Sequence, residues 1–153
     1  MKTKRIMITY ISIALLMLVG CEEKTSNPVG EVQKVVILTH KAEIQEVPSS
    51  RDGITLEMEK VQYKPYDKEI TLNVINESTK DLTEGNHFYL QKKENGIWFE
   101  IPYKKKMFTE EGLIIREKAS MTLKVSELKY EFSPGEYRAV FNKLAAPFEV
   151  TLN

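Results

Sequence analysis

The 153-residue chain predicts an all-β fold, a two-sheet antiparallel β-sandwich of about seven strands. Three observations predict it. Apolar and polar residues alternate over short runs, turn-forming residues separate those runs, and no stretch of about 12 residues carries a helical stripe.

The strands follow in order. Ile54, Leu56 and Met58 alternate with Thr55, Glu57 and Glu59, and Ile70, Leu72 and Val74 alternate with Thr71, Asn73 and Ile75. Successive side chains of a strand point to opposite faces, so both runs read as half-buried strands. The alternation returns in Phe88 and Leu90, in residues 97–103, in Met121, Leu123 and Val125, in Tyr137, Ala139 and Phe141, and in Phe148, Val150 and Leu152. Lys64-Pro65-Tyr66-Asp67, Asn95-Gly96 and Ser133-Pro134-Gly135 separate them. Asn95-Gly96 is the strongest hairpin signal: a two-residue loop there sets Leu90 against Ile101 and Lys92 against Phe99, a four-residue loop sets Leu90 against Phe99 and Phe88 against Ile101, and both give the same parity. Phe88, Leu90, Phe99 and Ile101 then face inward, and Trp98 shares the opposite face with Tyr89. That patch is either a partner contact or is covered by residues 32–47 or by the loop around Met107 and Phe108.

The N-terminus has its own pattern. Lys2, Lys4 and Arg5 precede an uncharged run, residues 6–19, shorter than the roughly 20 residues a membrane span needs. Leu18, Val19, Gly20 and Cys21 resemble the lipobox of bacterial lipoproteins. The resemblance implies a signal peptide over residues 1–20, removed by cleavage, and a lipid on Cys21. Residues 21–31 read as the lipidated cysteine and a polar, flexible tether containing Pro28 and Gly30. Residues 32–52 lack a clean period, and whether they add a strand stays open. Residues 53–153 form the sandwich.

Removing Lys2, Lys4 and Arg5 with residues 1–20 leaves 19 basic against 22 acidic residues, a formal charge of −3. Such a chain lacks the basic excess of a nucleic-acid binder. With its one cysteine lipidated it has no disulfide, so stability rests on a single packed core.

Tyr66-Asp67-Lys68-Glu69-Ile70, Asn76, Gly85, Tyr89-Leu90, Asn95-Gly96-Ile97-Trp98 and Pro134-Gly135-Glu136-Tyr137-Arg138 form an ordered series. The series resembles a bacterial immunoglobulin-like domain of Gram-positive lipoproteins, over residues 53–152. The resemblance implies an immunoglobulin-like sandwich at the cell envelope and no particular activity. Tyr137 reads equally as a tyrosine corner, its hydroxyl bonded back to the upstream backbone, and as a plain core aromatic.

Catalytic signals are absent. His40 and His87 each stand without a second ligand at metal spacing, and Glu22-Glu23 and Glu110-Glu111 lack the pattern of a calcium loop. No cofactor is expected. Lys104, Lys105 and Lys106 form a basic run that reads as a solvated loop or as a contact for an anionic surface. The expected function is a lipid-anchored, non-enzymatic interaction module on the outer face of the bacterial cell membrane. It would contact the membrane through its lipid and an envelope protein or polymer through its surface, with no nucleic acid. The alternatives are an envelope enzyme built from dispersed residues, which a deep pocket holding His87 beside a carboxylate would favour, and a purely structural or sensory lipoprotein. The sequence leaves the oligomeric state open.

Overall fold

The computed structural model describes residues 36–105 and 112–152. Leu18, Val19, Gly20, Cys21, the tether and Lys106 lie outside the described residues.

Alternating burial builds two facing sheets. One contains β1 (Ser50–Arg51), β2 (Ile54–Met58), β4 (Glu69–Asn76) and β9 (Lys118–Lys124), in the order β1-β2-β4-β9. The other contains β3 (Gln62–Tyr63), β6 (Tyr89–Glu94), β7 (Ile97–Glu100), β10 (Gly135–Phe141) and β11 (Leu144–Val150), in the order β3-β11-β10-β6-β7. A small pair, β5 (Leu82–Gly85) and β8 (Gly112–Ile115), stands beside them. Leu72, Val74 and Met121 from the first sheet meet Leu90, Tyr137 and Phe148 from the second in one core. The expected sandwich is therefore present. Its pairs are antiparallel except β3–β11, where Gln62 and Tyr63 lie parallel to Glu149 and Val150.

Turn chemistry fixes the registers. Asn95 and Gly96 both take positive φ, 51° and 81°, as a two-residue hairpin loop requires. Lys92 pairs with Phe99 and Gln91 with Glu100, the register expected from the two-residue loop. Asp52 and Gly53 form a second such turn, with φ of 54° and 78°, joining β1 to β2. The sheet therefore begins at Ser50, ahead of residue 53.

Seven of the strands correspond to those expected; β1, β3, β5 and β8 are additional among the described residues. Three ends differ from the expectation. β7 stops at Glu100, although the Ile101 N–H still donates to the Leu90 carbonyl at 2.9 Å; Pro102 lacks the N–H that would extend the pairing with residues 40–42, and Tyr103 bridges to Leu128. Val125 leaves β9 for a single 3₁₀ turn, Val125–Glu127. The alternation of Phe148, Val150 and Leu152 predicts an inward Leu152, but β11 ends at Val150 and the side chain is 74% exposed. Pro147 sits inside β11 at little cost. Ala145 and Glu149 turn their N–H groups toward Pro48 and Val61 rather than toward β10, so Pro147 lacks a donor only on that side.

Candidate functional site

The outer face of the five-stranded sheet is organised by one buried cation. Arg138, on β10, is 4% exposed. Its Nε donates to Gln91 Oε1 at 2.7 Å, Nη1 to the Gln45 carbonyl at 2.7 Å and Nη2 to the Ile44 carbonyl at 2.8 Å. Burial lowers its guanidinium from the ordinary value, and Glu46 opposes part of that shift. The guanidinium also lies 4.3 Å from the centre of the Trp98 ring. Gln45 fastens the same segment to β7, its Nε2 donating to the Trp98 carbonyl at 3.2 Å while its Oε1 accepts the Trp98 N–H at 2.9 Å. Ala42 donates to the Trp98 carbonyl at 2.9 Å, and Glu100 donates to the His40 carbonyl at 2.8 Å.

Residues 40–45 thus run along the β7 edge, held by one isolated bridge, Lys41 to Phe99, and by side chains. Trp98 is half-buried in consequence. Tyr89 lies on the same face but roughly 13 Å back along the hairpin, at about 3.3 Å per residue, and it is 46% exposed. The two aromatics occupy separate surroundings rather than one patch.

Around Tyr89 a different group assembles. The His87 Nε2 and the Tyr89 hydroxyl are 3.2 Å apart, and their rings meet edge to face at 5.3 Å. The ring of His87 folds back over Gly85, where an added Cβ would come within 2.9 Å of it. Tyr103 meets Tyr89 edge to face at 6.3 Å, and its hydroxyl donates to the Phe88 carbonyl. Burial, with Glu127 and Tyr89 nearby, holds the Tyr103 phenol well above its ordinary range. Lys104 and Lys105 follow directly and are exposed. The structure therefore gathers Tyr89, Lys104 and Lys105 on one rim of the sandwich.

Two hollows flank this rim, and His87 lines both. The first, about 290 Å³, has Ile44, Val47 and Val140 in its lining together with Glu43, Glu84 and Glu100. It places an imidazole in a cavity with carboxylates. The bond shown for that imidazole is to a phenol, and no serine, threonine or cysteine is among the described lining residues. The second, about 650 Å³, is lined by Tyr103, Lys104 and Lys105 together with Ser120, Thr122 and Leu123. Among the described residues no group of three His, Cys, Asp or Glu side chains is placed to hold a metal ion.

Tyr137 fills both roles open to it. Its hydroxyl donates to the Ser133 carbonyl, four residues upstream, at 2.7 Å, and accepts the Ser133 N–H at 3.3 Å. Its ring is fully buried, stacked on Phe148 at 5.4 Å. Lys92 lies beside it, over the ring at 5.7 Å, bonded to Glu94 at 2.6 Å and Ser133 at 2.8 Å. Burial works against that ammonium, but the bonds to Glu94 and Tyr130 outweigh it and raise Lys92 above its ordinary value.

Residues 50–149 match the family model described as a bacterial Ig-like domain. No curated protein and no solved structure matches the chain.

Proposed function

The chain belongs to the bacterial Ig-like domain family, and we propose that it is a non-enzymatic interaction module, lipid-anchored through Cys21 to the outer face of a bacterial cell membrane. Its partner is acidic, a protein or polymer of the envelope. One observation carries the binding reading: Tyr89, His87 and Tyr103 stand together beside the exposed Lys104 and Lys105 on a single rim. Aromatic rings supply contact area at low entropic cost, and lysines near an anionic surface contribute about 1 kcal/mol each. The anchor reading rests on the sequence from Leu18 to Cys21.

A second reading, an envelope hydrolase or transferase, has one observation in its favour: His87 shares a cavity with Glu43, Glu84 and Glu100. It is the weaker reading, because no serine, threonine or cysteine is among the described residues lining that cavity to act as a nucleophile beside the imidazole.

The experiment combines two variants in cells. Cys21→Ala should abolish fatty-acid labelling. Lys104→Ala with Lys105→Ala should leave labelling intact and weaken binding to isolated envelope about thirtyfold, the equivalent of two contacts at about 1 kcal/mol each. Persistent labelling of the first variant would refute the anchor, and unchanged binding of the second would refute the rim.

A further inference from the structure

The two main sheets have four edges, and three are blunted. β1 and β3 contain two residues each, and residues 40–45 cover β7. The fourth, β9, is seven residues long and pairs only with β4 among the described residues. An unpaired strand of that length is a template for another strand.

The register shows which backbone groups are open. Asn76 N–H donates to the Glu117 carbonyl at 2.7 Å, and Val125 N–H donates to the Lys68 carbonyl at 2.8 Å, framing the β4–β9 ladder at its two ends. Hydrogen-bonded pairs alternate in an antiparallel ladder, so Ala119, Met121 and Leu123 face β4 and the backbones of Lys118, Ser120, Thr122 and Lys124 face outward. No hydrogen bond from a described residue reaches the outward groups of Ser120 or Thr122. Ser120 and Thr122 line the 650 Å³ groove together with Tyr103, Lys104 and Lys105. A strand added about 4.8 Å from β9 would lie along that groove.

From this geometry we infer that β9 receives an extended acidic segment of a partner protein as a fifth strand of its sheet. The inference rests on the interaction-module reading and names its partner. Charge selects the occupant. Lys118 and Lys124 stand at the two ends of the open edge and Lys104 and Lys105 line the groove, while Glu127 is the one carboxylate among the described lining residues. A second copy of β9 fits less well, because the antiparallel register that uses the whole strand sets Lys118 against Lys124, and like charges directly opposite are destabilising.

The test uses the full chain in detergent and a capped hexapeptide of alternating glutamate and valine. At saturating peptide the Ser120 and Thr122 amides should exchange with solvent about tenfold more slowly or better, as amides in a formed ladder do. The same peptide N-methylated at alternate residues should give no protection, and a version with lysine in place of glutamate should bind about tenfold more weakly or worse. No slowing at either amide with millimolar peptide would overturn the inference. So would protection without peptide in a sample that sediments as a dimer, which would assign the edge to a second copy. If the lysine variants lose envelope binding while these amides never respond, the interaction module stands and strand addition falls.

Discussion

Replacing Arg138 with Met should loosen residues 40–45, the strap along β7, from the sandwich, and the size of the effect can be worked from the contacts. The substitution keeps the side-chain bulk and removes three donated hydrogen bonds, each from a charged donor. Such bonds contribute about 1.5–3 kcal/mol apiece, but water can replace the donor where the acceptor is accessible. The Ile44 and Gln45 carbonyls lie at the rim, with Ile44 itself 49% exposed, whereas Gln91 is only 7% exposed and its amide oxygen would be stranded. The stranded acceptor costs about 1–3 kcal/mol, and the lost stacking on Trp98 adds about 0.5–2. A destabilisation near 3 kcal/mol is expected, which for a urea slope of about 2 kcal/mol/M lowers the midpoint by about 1.5 M. The assay is urea unfolding followed by the fluorescence of Trp98, the chain's one tryptophan. Acrylamide quenching below the transition should rise as the ring loses its cover. An unchanged midpoint together with unchanged quenching would refute the reasoning.

Leu72→Ala should cost about 2–5 kcal/mol, since the side chain is fully buried between the sheets; an unaltered urea midpoint would remove Leu72 from the core. Alkaline titration should separate folded from unfolded tyrosines. Burial raises Tyr63, Tyr103 and Tyr137 above the ordinary value of 10.0, so the folded state keeps protons that the unfolded state releases. Stability should therefore be complete below about pH 10 and fall as pH rises beyond it. The phenolate absorbance of these three should appear only with the loss of β-sheet circular dichroism, and its appearance in the folded state would contradict the burial described.

Strands with a face buried and a face wet announced themselves. In β4 every second residue from Ile70 to Asn76 is buried, and the sequence alternates accordingly. The inward and outward faces of β6 and β7 were legible from Asn95-Gly96, but the choice between a two-residue and a four-residue loop was not; the positive φ of both residues shows the two-residue loop. Asp52 and Gly53 carry the same signal, but the two residues of β1 are too few to show a period, so no strand is legible ahead of them. β8 was hidden for another reason: Leu113, Ile114 and Ile115 are consecutive apolar residues that do not alternate, and Ile114 is 59% exposed. The path of residues 40–45 had no local signal at all. Gln45 and Arg138 fix it, and the bonds from Arg138 reach back 93 and 94 positions. For the candidate site, Tyr89, Lys104 and Lys105 were legible as an aromatic and a basic run. Their convergence on His87 and Tyr103 was not, since it follows from where β7 ends at Glu100 and Tyr103 bridges to Leu128.

The strap along β7 also decides how the domain meets mechanical load. A pull on the chain from its N-terminal side arrives at residues 40–45 before it reaches any strand of the four-stranded sheet. It would work first against the contacts of Ala42, Gln45 and Arg138, and next against the bond from Ala145 N–H to the Pro48 carbonyl at 2.8 Å. Only after those yield would tension reach β1 and the core beneath it. Along that line of force the contacts of residues 40–48 and the paired strands are separate steps, taken in that order.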